Sequence, residues 1–205
     1  CSHDYDLRYC ATLSDNGKYL FFPENMTISG EDVQTFDLCY QNISKKERET
    51  TGLFVADGTK LLQEAVRYWD GLDTVILSDG VEAEVPEGVR VIRVPEEIMA
   101  YISPMETPQG ALFLCRLPEK SEFTPKPGML LLDGIQDPGN LGTMLRTADA
   151  LNIPVVLLEG CADPYSHKVV RSSMGAVFRN DVIRSTWAEV SASCRKAGIA
   201  VGVTA

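Results

Sequence analysis

Residues Leu130 to Ala150 read LLLDGIQDPGNLGTMLRTADA, an apolar run that breaks at Asp-Pro-Gly-Asn and resumes with helical spacing. Met129 to Leu132 are apolar at every position, the pattern of a strand covered on both faces and so of a parallel sheet between helices. The segment Asp137-Pro138-Gly139-Asn140-Leu141-Gly142 offers backbone conformations that most residues resist. It is expected to form a loop ahead of a helix over Leu141–Leu151. In an open parallel sheet the crevice beyond the strand C-termini is the binding edge, which makes this junction the first place to look for chemistry. The same composition also suits a plain tight turn.

The strand-helix alternation continues in both directions and defines an α/β chain. Upstream lie strand Leu53–Ala56, helix Thr59–Trp69, strands Thr74–Leu77 and Val89–Val94, helix Glu96–Ile102 and strand Ala111–Leu117. Downstream lie strand Val155–Leu158, a helix within Ser166–Val177, a short strand near Val182, helix Ala188–Lys196 and strand Ile199–Val203. Between them EKSEFTPKPG, residues 119–128, carries Pro125 and Pro127 and reads as an extended linker. The expected organisation is an unassigned leader over 1–30, a small α/β domain over 31–118, and a Rossmann-like parallel-sheet domain over 129–205. Glu31 to Glu49 carry a helical pattern through Val33, Phe36, Leu38 and Ile43. It ends in Lys45-Lys46-Glu47-Arg48, which is either a solvated helix face or a nucleic-acid contact.

The chain carries 44% hydrophobic residues and a net charge of -10, and its longest apolar runs are only strand-sized, so no membrane span is expected. Asp4, Asp6 and Arg8 interrupt the N-terminus where a signal peptide needs an apolar stretch. Six cysteines without close pairs, and only His3 and His167, point to unpaired thiols in a cytoplasmic protein with no metal site. The acidic total excludes a general polyanion binder. It leaves room for a local patch, because between Asp163 and Ser185 the cations Lys168, Arg171, Arg179 and Arg184 face only Asp181.

Two segments together carry a family resemblance. Asn140-Leu-Gly142 followed by Arg146-Thr147-Ala148, and then Lys168-Val-Val-Arg171-Ser-Ser173-Met-Gly175-Ala176, resemble the SpoU (TrmH-like) branch of the SPOUT RNA methyltransferases. Both stand in the expected order, separated by the strand Val155–Leu158, which makes the match specific. Gly52-Leu-Phe-Val-Ala-Asp-Gly58 and Thr107-Pro-Gln-Gly110 resemble the small RNA substrate-binding domain that precedes many such catalytic domains. The resemblance runs from Lys45 to Ala205. It implies a trefoil-knot type fold, S-adenosylmethionine as cofactor, an RNA ribose 2′-hydroxyl as acceptor and a homodimer in the complete protein. Ribosomal RNA is preferred over transfer RNA because the two-domain layout resembles ribosomal members. The family's third motif, a glycine-glutamate loop with Ile-Pro and Ser-Leu-Asn segments, is not reached before Ala205. The chain also opens on Cys1, with Met26 a candidate natural start. The expectation is therefore a domain incomplete at its C-terminus, impaired in cofactor binding and turnover.

The resemblance assigns Arg146 as the catalytic cation. Arginine keeps its proton far above neutral pH, so electrostatic activation of the hydroxyl with a phosphate partner suits it better than the role of base. Its bland alternative is an i,i+3 ion pair with Asp149. Asn140, which donates and accepts, is expected to orient Arg146 and the ribose, or to serve only as a turn residue. Gly142 is expected at a close backbone approach or a simple turn. Lys168 and Arg171 are candidates for gripping RNA phosphates, or are solvated cations. Gly175 and, more weakly, Thr204 are candidates for cofactor contact, and Ser173 and Gly175 equally suit small core contacts. A dinucleotide enzyme would need a GxGxxG turn, which Gly139-Asn-Leu-Gly142 does not supply. A non-catalytic RNA-binding module stays as the alternative.

Overall fold

A computed structural model describes residues 44–119 and 122–203, with 35–36 and 39, and the backbone of residues 9–11 and 20–23. Much of the 1–30 leader, part of the 119–128 linker and Thr204 lie outside the described residues. Strands β1 (Tyr9–Ala11) and β2 (Leu20–Pro23) pair antiparallel with each other.

The first half builds α1 (Lys45–Thr51), β3 (Leu53–Asp57), α2 (Thr59–Tyr68), β4 (Leu72–Ser78), β5 (Arg90–Val94), α3 (Glu96–Ile102) and β6 (Ala111–Arg116). Its four strands lie in the order β3-β6-β4-β5, with the β4-β5 pair parallel and the other two antiparallel. The second half builds β7 (Leu130–Leu132), α4 (Pro138–Ala150), β8 (Val155–Leu157), α5 (His167–Ser172), α6 (Ala176–Arg179), β9 (Val182–Arg184) and α7 (Trp187–Ala197). Here three strands form a wholly parallel sheet, β7-β8-β9. The expected α/β class is what the chain adopts.

Alternation along the strands divides the core into layers, because successive side chains point to opposite faces. Val55, Ile76, Leu112 and Leu114 pack on α3 through Ile98, Met99 and Ile102. Their neighbours Phe54, Ala56, Val75, Leu77, Ala111 and Phe113 face the other way, into a layer that also takes Leu62 and Ala65 of α2. That layer does not stop at the linker. It continues into Leu141, Leu145 and Ala148 of α4, Tyr165, Val169 and Val170 of α5, and Val177 and Phe178 of α6. Val156 and Leu158 meet Val190 and Cys194 of α7 on the far side. Thus two separate sheets share one apolar layer, centred on Phe54, Phe113, Tyr165 and Phe178, with Phe54 and Tyr165 ring centroids 5.1 Å apart.

Local chemistry moved several expected boundaries. The helical pattern of residues 31–49 is broken at Ser44, which is extended and caps α1: its hydroxyl accepts from the Glu47 amide at 3.1 Å and donates to the Glu47 carboxylate at 2.7 Å. The single helix expected within Ser166–Val177 is two, because Met174 and Gly175 both take positive φ, +51° and +88°. Ile199–Val203 forms no ladder; it faces β7 across a groove rather than joining the sheet. Phe178→Ala is expected to lose about 3–5 kcal/mol, since it empties the centre of the shared layer, and urea unfolding should remain a single transition spanning both halves. Two resolved transitions would show the halves to be independent.

Candidate functional site

The helix that carries Arg146 starts earlier than the sequence suggests. Asp137 is its N-cap, with Oδ1 accepting from the Asn140 amide at 2.7 Å, and Pro138 occupies the first turn, where a missing N–H costs nothing. The expected Pro-Gly-Asn-Leu-Gly loop is therefore the opening turn and body of α4. Asn140 stands at the third helical position. Leu141, Gly142, Leu145 and Ala148 form the buried stripe, while Asn140, Thr143, Arg146 and Thr147 are exposed. Both threonine hydroxyls donate back to carbonyls one turn earlier, at 2.9 Å, so the polar face of the helix presents Asn140 and Arg146.

Gly142 is a helix-packing residue, not a turn residue. A Cβ there would come within 2.8 Å of Ser172 Cβ and 2.9 Å of the Ser173 amide nitrogen, so only glycine lets α5 lie directly on α4. The contact is sealed by Ser172, whose hydroxyl lies 3.1 Å from the Pro138 carbonyl and 2.8 Å from that of Lys168. One side chain thus joins the turn bearing Asn140 to the turn bearing Lys168. Lys168 and Arg171 project from the exposed side of α5 three residues apart, and Val169 and Val170 are buried.

The Arg171 guanidinium reaches the first half of the chain, where Nη1 donates to Met105 Sδ at 2.9 Å. Met105 belongs to the loop between α3 and β6. That loop is anchored on Asp57, at the end of β3: the Ser103 hydroxyl donates to Asp57 Oδ2 at 2.7 Å and accepts from the Met105 amide at 3.1 Å. Burial pushes the Asp57 carboxyl above its ordinary range, with Ser103 and Arg171 acting against it. Burial, reinforced by Arg171, holds His167 below the ordinary imidazole range, and its Nε2 is buried without a hydrogen-bond partner. Sequence reasoning passed over Asp57, Ser103 and Met105; the Asp57-Gly58 and Thr107–Gly110 segments were the only signals near them.

The expected basic stretch is partly neutralised. Arg184 Nη2 donates to Asp163 Oδ1 at 2.5 Å, and Arg179 is shared between Asp149 and Glu64. Arg48, from the Lys45–Arg48 cluster, is neither solvated nor presented to RNA. It is buried, with Nε 3.0 Å and Nη2 2.5 Å from Asp163 Oδ2. Lys168 remains exposed, and Arg146 makes no hydrogen bond or ion pair with the described residues; the Arg146–Asp149 pair that stood as the alternative to a functional role is absent. Gly175 is not brought to this face. It is buried where a Cβ would meet Glu64 Cγ at 2.8 Å, the small core contact that the sequence equally allowed for it. Among the described residues no group of three His, Cys, Asp or Glu is placed to hold a metal, and no helix is long and apolar enough to cross a membrane. Cys39, Cys115, Cys161 and Cys194 are free thiols.

Residues 127–205 match the model of the SpoU rRNA Methylase family, and residues 43–112 match that of the MRM3-like substrate binding domain. The 23S rRNA (guanosine(2553)-2'-O)-methyltransferase RlmP of Bacillus subtilis is 35% identical over 144 residues, covering 69% of this chain and 58% of that protein. The human mitochondrial rRNA methyltransferase 3 is 33% identical over 157 residues, covering 69% of this chain and 37% of that protein. The chain therefore spans only part of the length of these relatives. A Porphyromonas gingivalis structure assigned to the TrmH family of RNA methyltransferases aligns with a TM-score of 0.77 at 31% identity, over 85% of this chain and 70% of that one. An AdoMet-bound rRNA methyltransferase from Sinorhizobium meliloti aligns at 0.68 and 27% identity, over 84% of this chain and 68% of that one.

Two consequences can be measured. Gly142→Ala should destabilise by about 1–3 kcal/mol through overpacking against α5, although alanine is otherwise the better helix former by about 1 kcal/mol; a gain in melting temperature would refute the close contact. Burial holds His167 below the ordinary imidazole range in the folded chain, so on acidification the unfolded chain takes up the proton first. Stability that His167 contributes should fall as pH drops below its ordinary value of 6.5, and the wild type should lose more stability than His167→Gln between neutral pH and about pH 5.

Proposed function

We propose that this chain, which belongs to the SpoU (TrmH-like) family of RNA methyltransferases, serves to methylate a ribose 2′-hydroxyl of ribosomal RNA. The observation that carries the reading is the exposed face where Arg146, without a partner among the described residues, shares α4 with Asn140, while α5 is clamped alongside with Lys168 and Arg171. The named relatives act on ribosomal RNA, which favours it over transfer RNA as the substrate. The first-half sheet, over residues 31–118, is read as the RNA-recognition domain and residues 129–205 as the transferase domain, joined through 119–128.

In this reading Lys168 and Arg171 hold backbone phosphates and so fix the register of the RNA. Asn140 orients the ribose by donating to one oxygen and accepting from another. Arg146 keeps its proton and stabilises the negative charge that develops on the 2′-oxygen as its proton leaves to a phosphate or to solvent. S-adenosylmethionine supplies the methyl group at a sulfonium carbon. A groove of about 780 Å³ along β7 supports its binding: Leu132, Ile135, Met144 and Leu158 give apolar walls, Asp133 a carboxylate, and Ile199–Val203 the opposite side. Pockets of this size and mixed lining suit a nucleoside-bearing ligand. Thr204, the weaker candidate for cofactor contact, lies outside the described residues. We infer further that the protein works as a homodimer in the cytoplasm.

The test is methyl transfer from labelled S-adenosylmethionine to a ribosomal RNA transcript. Arg146→Ala should lower turnover by about a hundredfold or more, as removal of one preorganised donor does, while stability shifts by no more than about 0.5 kcal/mol because the side chain is exposed. The pair Lys168→Ala and Arg171→Ala should instead weaken RNA binding and flatten its salt dependence, by about 0.7–0.9 in log-log slope per lost phosphate contact. Unchanged turnover in the Arg146 variant would remove it from the mechanism. RNA binding without any cofactor binding would favour a non-catalytic module.

A further inference from the structure

Arg146 and Asp149 stand three residues apart on α4, the spacing at which a cation and a carboxylate on one helix normally meet. They do not pair, because Asp149 is already taken. Arg179, the last residue of α6, donates from Nε to Asp149 Oδ2 at 2.8 Å, and its Nη2 lies 2.7 Å from the same oxygen. Its Nη1 pairs with Glu64 of α2, and its guanidinium carbon lies 5.7 Å from the Tyr68 ring centroid. The fork is occupied on every side. Gly175 makes this possible, since a Cβ there would meet Glu64 Cγ at 2.8 Å and Arg179 Nη1 at 3.2 Å. The Asp149 side chain is only 18% exposed. Deprived of Arg179, it would be a largely buried carboxylate in need of a donor, a condition proteins rarely leave unmet. Arg146, one turn away on the same helix, is the cation within reach.

We propose that Arg179 is a positioning residue: by occupying Asp149 it keeps the Arg146 guanidinium uncommitted and available to RNA. The proposal rests on the reading of Arg146 as the cation that assists methyl transfer. It gives Arg179 a role apart from RNA contact, although it stands in the basic stretch that the sequence would assign to RNA. The same side chain joins α2 of the recognition half to the helix bearing Arg146, so docking of the two halves and availability of Arg146 depend on one fork. A lysine could not serve, because a single ammonium cannot offer the planar set of donors that spans two carboxylates.

The experiment compares the full chain with Arg179→Gln and with Arg179→Gln/Asp149→Asn, by methyl transfer to a ribosomal RNA transcript and by ¹⁵N NMR of the Arg146 Nε–H group. In Arg179→Gln the freed Asp149 should capture Arg146: its Nε–H shifts and becomes protected from exchange, and turnover falls by about tenfold, the size of an effect worth roughly 1.4 kcal/mol. The double variant has no carboxylate to capture Arg146, so the Nε–H signal and turnover should return to within about twofold of wild type. The Arg146 Nε–H signal is the readout that a purely structural role of Arg179 would leave unmoved. A double variant as slow as the single one, or an Arg146 signal unmoved in Arg179→Gln, would overturn the proposal. Should glutamine at 179 prevent folding, Arg179→Met with and without Asp149→Asn carries the same comparison, because methionine keeps the aliphatic stem and offers Asp149 no donor. If the wild type transfers no methyl group, the activity proposed above fails, while the NMR comparison still decides whether Arg179 keeps Asp149 from Arg146.

Discussion

Phe54 of the first sheet and Phe178 of α6 lie with ring centroids 6.2 Å apart, and Tyr165, Trp69 and Phe113 close around them. Each fully buried aromatic contributes about 1.5–3 kcal/mol relative to exposure, with about 0.5–1.5 kcal/mol more from ring geometry in each pair. This cluster outweighs any surface ion pair, worth at most about 1 kcal/mol. It sets how the first-half sheet sits against α4, α5 and α6, and the polar contacts between the halves are made within that arrangement. Burial also suppresses the chemistry of groups inside it, pushing up the Tyr165 hydroxyl and the Cys115 thiol so that neither ionises near neutral pH.

The charged contacts between the halves do different work. Arg48 and Asp163 have side chains only 4% and 14% exposed, so their mutual attraction is set against a large loss of hydration. Such a pair adds little net stability, but removing one member costs about 3–5 kcal/mol because the other is left buried and uncompensated. The pair therefore penalises misdocked arrangements more than it strengthens the correct one. Asp163 lies just ahead of α5, and by holding Arg48 and Arg184 it fixes where that helix begins. Lys168 and Arg171 inherit their placement from it.

The layering was legible because strand alternation is a local signal: Phe54 against Val55, or Val155 against Val156, sorts residues to opposite faces without knowledge of partners. The exposed positions of Asn140 and Arg146 follow from the same kind of reasoning once α4 is phased. What failed was its first turn. Asp137 followed by Pro138 is a helix-start pattern, but Pro-Gly-Asn is also turn chemistry, and the two compete for the same residues. A close approach at Gly142 and a small core contact at Gly175 were each legible as one of two readings, but not what they approach: the Cβ is missing against Ser172 and Glu64, residues that the sequence alone does not bring near. For the same reason Arg48, Arg179 and Arg184 could not be told from Lys168 and Arg171. Their carboxylate partners come from tertiary structure.

That sorting of cations changes what an acidic chain can do with RNA. With a net charge of -10, long-range attraction to a polyanion is unfavourable, and among the described residues Lys168 and Arg171 of α5 and Arg146 of α4 form no salt bridge in the proposed site, while Arg179 and Arg184 do. Three phosphate contacts would give a log-log salt slope of only about -2 to -3. Non-specific affinity at physiological salt should therefore be weak, and productive binding must draw on shape and on contacts that only one RNA conformation makes. Internal pairing of Arg48, Arg179 and Arg184 removes charges that would otherwise hold any RNA. Left in place are the few cations around the Gly142–Ser172 contact, so under the proposed function the packing that forms the site would also limit which RNA could use it.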